Sequence, residues 1–191
     1  MNLFKKISSQ KGYTLAELLV VIAIFCILIV LIFSVYLLSQ KAYYTGDAKA
    51  EIDQNGRIAF DRLSREIRQA KEIVTLLPDN EEDPPVNELE FEDGHTTGEI
   101  HYIRYYLDGT DLRRQIIYYY FMQGEDKFYV KWNTQLDGTG PTPDITEDRL
   151  TAEYVETLEF CEPDAINMYA KLKKGTVYLY IKSKIFGRNL K

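Results

Sequence analysis

The chain has 191 residues, of which 27% are charged and 13% aromatic, and its formal net charge at pH 7 is −6. Three lysines and no acids lie in residues 1–12, so the rest of the chain carries a net charge of −9. This acidic balance argues against a broad nucleic-acid-binding surface, which would need a basic patch or stripe.

A basic start is followed by a long apolar run. Lys5, Lys6 and Lys11 precede the uncharged segment Leu18–Leu38, which as a helix spans roughly 31 Å and matches the hydrocarbon core of a bilayer. The positive-inside rule places the N-terminus in the cytoplasm and the rest of the chain outside. A cleaved secretory signal is the alternative, but its apolar core is shorter and ends in a small-x-small site. We therefore expect a single-pass inner-membrane protein.

One carboxylate, Glu17, lies at the head of this apolar run. Acids within a membrane span are costly and usually have a partner. Two interpretations remain open at this point. Glu17 pairs with a cation in the assembled protein, or its side chain reaches the lipid headgroups from near the end of the span.

The segment Gly12-Tyr13-Thr14-Leu15-Ala16-Glu17 resembles the processing site of type IV prepilins and type II secretion pseudopilins. The resemblance implies that a prepilin peptidase cuts between Gly12 and Tyr13 and methylates the new amine of Tyr13. Tyr13 is a departure, since the family usually has Phe there. Glu17 and Thr14 would then serve assembly, with Glu17 pairing with the amine of a neighbouring pilin-like subunit. An inner-membrane assembly platform is the further partner implied.

Small and apolar residues recur at helical spacing beyond the membrane, between about Gln40 and Leu77. Pro78 ends this pattern. We predict one helix from Tyr13 to about Leu77, with residues 13–39 in the membrane and residues 40–77 docked on a domain. A coiled-coil dimer is the competing interpretation, but the stripe is short and interrupted. The stripe comprises Ile52, Gly56, Ala59, Leu63, Ile67, Ala70 and Val74.

Residues 78–191 read as a β-rich globular domain that begins with an acidic loop, residues 79–98. Asp108-Gly109-Thr110-Asp111 and Lys173-Lys174-Gly175 are turn signals between strand-like runs. Sequential hairpins favour an antiparallel sheet, so the fold class is α+β, with the amphipathic half of the helix on one sheet face. The predicted strands are Glu88–Glu92, Glu99–Leu107, Leu112–Met122, Lys127–Trp132, Val155–Cys161, Ile166–Leu172 and Thr176–Phe186.

Scattered segments of this domain resemble the J-type minor pseudopilin of type II secretion. They are Arg65–Ala70, Tyr102–Gly109, Leu112–Arg114 and the closing Lys182–Leu190. The resemblance implies a non-catalytic minor subunit that assembles into, initiates or caps a filament of a secretion system. The alternative is a minor pilin of a competence, adhesion or motility pilus that acts as a binding module.

Catalytic and metal-binding patterns are weak. His95 and His101 have no companions at zinc spacing, and we expect no cofactor. A strand would align three carboxylates on one face, which we interpret as solvated: Glu88, Glu90 and Glu92. Calcium is a possibility at four acids that match no defined site, and we prefer a solvated loop: Asp137, Asp144, Glu147 and Asp148.

Fifteen tyrosines fall in the chain, and doublets and triplets place them on both faces of a sheet. We interpret them as core and rim residues rather than as one stacking platform. The acidic balance argues against nucleic acid as a partner, although Arg104, Arg113, Arg114 and Lys127 could make a local basic patch for DNA. Cys26 and Cys161 lie in different compartments in this topology, so we expect no disulfide between them.

Overall fold

The structure is a computed structural model that describes residues 12–79, 84–95, 98–162 and 165–187. Within these ranges the chain forms one helix and eight strands, which confirms the α+β class. They are α1 Leu15–Gln69, β1 Leu89–Glu92, β2 Tyr102–Asp108, β3 Asp111–Gln123, β4 Asp126–Val130, β5 Thr142–Ala152, β6 Val155–Cys161, β7 Ile166–Lys174 and β8 Val177–Ile185.

The chain divides into two compact units, residues 1–44 and residues 45–191. The described part of the first unit is residues 12–44, most of which belong to α1. The second unit contains the remainder of α1 and all the strands. Lys5, Lys6 and Lys11 of the predicted leader, and Arg188–Leu190 of the resemblance above, lie outside the described residues.

In the second unit, α1 buries the predicted apolar stripe against the strands. Ile52, Ala59, Leu63 and Ile67 are fully buried and belong to one core cluster with side chains from both sheets. The helical spacing of these positions puts them on one face. The chain therefore covers the stripe with its own sheets, which leaves no seam for the coiled-coil alternative.

Gly56 lies where the helix approaches β8 most closely. A Cβ atom at this position would stand 3.0 Å from Ile181 Cδ1 and 3.0 Å from Leu179 Cδ2. Glycine costs an exposed helix about 1 kcal/mol relative to alanine. Here that cost is offset by the close packing of the helix against apolar side chains of the sheet.

The strands form two antiparallel sheets where the sequence predicted one. Among the described residues, β1, β2, β3 and β4 pair in that order and β5 pairs with the other side of β3. A second sheet has the order β6-β7-β8. The prediction of antiparallel pairing is confirmed. Tight turns join β2 to β3 and β7 to β8, where Gly109 (φ 65°) and Gly175 (φ 60°) adopt the left-handed conformation that glycine permits.

The predicted helix bounds are wrong at both ends. α1 begins at Leu15 rather than Tyr13 and ends at Gln69 rather than near Leu77. Residues 71–75 instead run antiparallel to β1, where Lys71 N donates to Glu92 O (3.1 Å) and Val74 N donates to Glu90 O (2.8 Å). The β-branched run Ile73-Val74-Thr75 favours this extended backbone.

The interpretation of the acids near residue 145 as a solvated loop is also wrong. Three of them, Asp144, Glu147 and Asp148, lie on β5, an 11-residue strand that pairs with β3 over most of its length. Charged and threonine residues outnumber apolar residues in β5, so the sequence showed no apolar pattern from which this strand could be predicted. Its Pro143 is compatible with its position at the edge of the sheet.

Candidate processing and assembly site

Gly12 and Tyr13 precede the helix and are exposed. Tyr13 is 91% exposed. A Cβ atom at Gly12 would meet nothing within 4 Å, and the residue is not in the left-handed region. Nothing in the described chain therefore requires glycine at position 12. A requirement for glycine would have to come from another molecule that reads this segment.

Thr14 and Glu17 form a capping box at the start of α1. Glu17 N donates to Thr14 Oγ1 (3.3 Å), and Thr14 N donates to Glu17 Oε2 (2.9 Å). The Thr14 hydroxyl also donates to Glu17 Oε2 (3.1 Å). These reciprocal bonds satisfy amide groups that a helix N-terminus otherwise leaves unpaired.

The capping box was available in the sequence as threonine followed three residues later by glutamate, but the sequence reasoning did not use it. It gives Glu17 a local role besides the predicted intermolecular one. In the described part of the chain both contacts fall on Oε2. Oε1 makes neither of these contacts.

The apolar run that follows Glu17 is exposed on all sides of the helix. The large apolar side chains between Leu18 and Leu38 are 49% to 69% exposed. Within the described ranges, α1 is the helix long and apolar enough to cross a membrane. The Ser34 hydroxyl donates to Val30 O (2.8 Å), so this polar group is satisfied within the helix. The unit fits a single membrane span, since lipid would cover these side chains.

In the second unit, a buried ionic network joins α1 to three strands. Glu66 Oε2 accepts from the Tyr105 hydroxyl (2.7 Å) and from Arg114 Nε (3.0 Å), and Arg62 Nε lies 3.0 Å from Glu66 Oε1. Arg114 Nη1 also lies 3.6 Å from Glu147 Oε1. Burial, with the adjacent Glu66 charge, raises the pKa of Tyr105 well above its usual range.

Sequence reasoning missed this network. The Arg114 side chain is 8% exposed and that of Glu66 is 18% exposed. The partners of Glu66, Tyr105 and Arg114, are 39 and 48 residues from it along the chain, so no local sequence pattern pointed to these contacts.

The three carboxylates around β1 are not the solvated face that the sequence predicted. Glu92 is 3% exposed, with Lys71 Nζ at 3.4 Å and Lys131 Nζ at 3.5 Å. Glu90 accepts from the Tyr119 hydroxyl at 2.6 Å, and its burial raises its pKa. Glu88 pairs with Arg104. Each carboxylate therefore has a partner within the domain.

The proposed calcium ligands and the proposed basic patch largely neutralise each other. Arg113 Nε donates to Asp148 Oδ1 (2.8 Å), and Lys127 Nζ pairs with Asp144. Arg149 Nε lies 2.7 Å from Glu147 Oε1. In the described ranges, no group of three or more His, Cys, Asp or Glu side chains is arranged to hold a metal ion.

The tyrosines occupy both core and surface, as predicted. Tyr102 and Tyr105 are fully buried, and burial raises the pKa of Tyr102 to about 12. Tyr118 and Tyr120 both contact Tyr129 edge-on, with ring centroids 5.6 and 6.4 Å apart. Edge-on rings do not form a flat stacking platform.

The two cysteines have different environments. Cys161 is 4% exposed within the second unit, and Cys26 is exposed on the apolar part of α1. Neither forms a disulfide within the described residues.

Comparison with known proteins gives one match. A family model described as the prokaryotic N-terminal methylation motif matches residues 7–33. No curated protein and no solved structure matches the chain. The match contains Gly12–Glu17 and most of the apolar run, and it supports the resemblance to type IV prepilins and pseudopilins. The methylation motif therefore supports a type IV pilin-like subunit.

Proposed function

We propose that this protein is a non-catalytic minor pilin or pseudopilin that enters, initiates or caps the filament of a secretion system. The observation that carries the proposal is the methylation motif placed directly before an exposed apolar helix. The scattered likeness to J-type pseudopilins is the support for secretion as the machine. The partners are other pilin-like subunits, the prepilin peptidase and an inner-membrane assembly platform.

Cleavage after Gly12 explains the chemistry of the site. It removes the lysine-rich leader and leaves the amine of Tyr13, a cation, next to a membrane span. An amine and a carboxylate are each costly in hydrocarbon, and pairing them offsets the cost. Glu17 supplies the carboxylate to the amine of a neighbouring subunit, and its Oε1 atom takes no part in the capping box.

The capping box makes this proposal testable with two substitutions that separate its functions. Glu17→Gln keeps an acceptor for the Thr14 amide but removes the charge. Thr14→Val removes the hydroxyl cap but keeps the charge. We expect Glu17→Gln to insert into the membrane normally yet lose most filament incorporation, while Thr14→Val retains most of it.

Asp61→Asn is the matched control, because Asp61 is an exposed carboxylate on the same helix with an isosteric amide replacement. Incorporation is measured by quantifying the variant in sheared filaments relative to the membrane fraction. Normal incorporation of Glu17→Gln would show that the charge pair is not required, and the cap alone would then account for Glu17.

Membrane topology is part of the same proposal. The lysines before the apolar run place the N-terminus in the cytoplasm and residues 45–191 outside it. Labelling of intact cells with a membrane-impermeant thiol reagent tests this, using Glu125→Cys in the turn before β4. Labelling only after cell lysis would contradict the proposed topology.

The alternative function, a minor pilin that binds DNA or a surface, has less support. Arg104, Arg113, Arg114 and Lys127 all pair with carboxylates of the same domain, so their charges are offset. Retention of the detergent-solubilised chain on immobilised DNA at moderate salt would favour this alternative over the secretion role.

A further inference from the structure

The tyrosines on the helix of the first unit are confined to the end of its apolar run. The helix carries no tyrosine from Leu15 to Val35, and Tyr36, Tyr43 and Tyr44 then follow close together. Their side chains are 54%, 70% and 65% exposed, respectively. Tyrosine is enriched where membrane spans meet water, so this placement points to a contact with the membrane surface.

The three tyrosines lie on one side of α1, together with Gln40. Steps of four and three residues along a helix bring side chains above one another. Ser39, three residues after Tyr36 and four before Tyr43, lies between two of the rings on the helix surface and is itself exposed. We refer to Tyr36, Tyr43 and Tyr44 as the tyrosine face.

The tyrosine face straddles the end of the apolar run, whose last residue is Leu38. At a rise of about 1.5 Å per residue, Tyr36 lies about 3 Å before Leu38 and Tyr43 about 7.5 Å beyond it. The headgroup region adds about 5–7 Å to each side of the hydrocarbon core. With Leu38 at the hydrocarbon margin, the three rings extend from that margin into the headgroup region. Lys41, the first charged residue after the run, falls within the same stretch.

The polar ends of these side chains suit this graded environment. The Tyr36 hydroxyl accepts a hydrogen bond from Gln40 Nε2 (2.8 Å), which satisfies it within the helix at the level where lipid offers few partners. Tyr43 and Tyr44 are more exposed, and their rings contact each other edge-on with centroids 5.9 Å apart. An apolar ring with a polar tip is favoured where one end is apolar and the other is wet.

We propose that the tyrosine face binds the phospholipid headgroup region of the leaflet at the C-terminal end of the span. The rings pack against the glycerol groups and upper acyl chains, and the Tyr43 and Tyr44 hydroxyls bond to ester and phosphate oxygens. Contact with lipid then continues to Tyr44, five residues beyond the boundary at residue 39 that the sequence predicted. The tyrosine face thereby holds this end of the helix at a fixed depth.

A second helix is the competing occupant of the tyrosine face. Close contacts between helices in membranes favour small residues that let the backbones approach each other. The tyrosine face instead presents three large rings, which the headgroup region accommodates without a matching surface. The face is therefore assigned to lipid.

This inference rests on the membrane span alone. It requires neither cleavage after Gly12 nor entry into a filament, and it applies to either orientation of the helix in the bilayer. Failure of the processing, assembly or topology experiments would therefore leave it standing.

Thiol accessibility of Ser39→Cys tests the proposal in the full chain, reconstituted in phosphatidylcholine vesicles. Cys26→Ala removes the exposed native thiol, and this parent without Ser39→Cys gives the background from Cys161, which is 4% exposed. A membrane-impermeant maleimide is admitted to both sides of the bilayer by freeze–thaw, so the orientation of the helix does not affect the rate. Side chains on a helix lean toward its N-terminus, so Tyr43 held at the bilayer surface covers position 39.

We expect slow labelling with the native tyrosine face, and labelling several times faster when Tyr43→Ala and Tyr44→Ala are combined. Tyr43→Trp with Tyr44→Trp is the matched control, because tryptophan keeps an amphipathic ring at both positions, and its labelling should stay slow. Equal rates for the native and alanine faces, or fast labelling of the tryptophan variant, would overturn the proposal.

A second measurement identifies what covers the tyrosine face. Tyr43→Trp in a chain that carries Trp132→Phe has a single tryptophan. Phosphatidylcholine brominated near the glycerol end of its acyl chains should quench this fluorescence more than lipid brominated near the chain ends. Leu28→Trp, at the middle of the apolar run, should show the opposite order. Stronger quenching of Tyr43→Trp by the deep bromines would overturn the proposal, and so would protection from both lipids, which would show that a second helix covers the face.

Discussion

Removal of the Glu66 carboxylate by Glu66→Ala should destabilise the second unit strongly. Glu66 Oε2 is the acceptor for the buried Tyr105 hydroxyl and for Arg114 Nε. Without it, the Arg114 guanidinium retains Glu147 at 3.6 Å, and the Tyr105 hydroxyl loses its acceptor. Breaking a buried ion pair by removing one partner costs about 3–5 kcal/mol.

The low end of that range applies here, because Glu66 is 18% exposed and Glu147 offsets part of the Arg114 charge. About 3 kcal/mol in a unit of this size corresponds to a fall in Tm of about 6–12 °C. The assay is thermal unfolding of the full chain in detergent, followed by the fluorescence of Trp132, the chain's single tryptophan.

Two further variants show whether the network is responsible. Asp61→Ala, an exposed acid on the same helix, should lower Tm by no more than about 2 °C. Glu66→Leu combined with Arg114→Met should cost less than the sum of the single changes, because neither charge is then left unpaired. If Glu66→Ala unfolds at the same temperature as Asp61→Ala, the network does not stabilise the domain as argued.

Two other predictions concern packing and pH. Gly56→Leu should lower the free energy of unfolding by about 1–3 kcal/mol, because the new side chain overpacks against Ile181 and Leu179. Gly46→Ala should raise it by up to about 1 kcal/mol, because the space around Gly46 is open and alanine favours a helix. Urea unfolding of each variant measures both effects. Burial raises the pKa of Glu90, so its contribution to stability is fully present below the unfolded pKa and is lost as pH rises through the folded pKa. Glu90→Gln, which still accepts from Tyr119, should therefore be more stable than the wild type at pH 7, with the advantage vanishing in acid. Equal stabilities at pH 7 would contradict this reasoning.

The parts of the fold that sequence predicted are those with a strong local signal. The apolar run, the stripe from Ile52 to Ile67 and the glycine turns at Gly109 and Gly175 each follow from spacing or backbone preference. The motif before the helix was equally local, and a family model for the prokaryotic N-terminal methylation motif matches residues 7–33.

The parts that sequence missed depend on contacts between distant residues. β5 is stabilised by pairing with β3, which its many acids concealed, and residues 71–75 are extended because β1 lies beside them. The partners of Glu66 lie on β2 and β3, far from it along the chain. The division into two sheets is likewise a property of tertiary packing, since each hairpin alone is compatible with one sheet.

The central claim, that this chain is a processed pilin-like subunit, is tested most directly by the intact mass and N-terminal sequence of the protein purified from its own cells. The account predicts a chain that begins at Tyr13 and carries one additional methyl group. A chain that still begins at Met1, in cells with an active prepilin peptidase, would contradict it and leave the N-terminal segment as a plain membrane anchor.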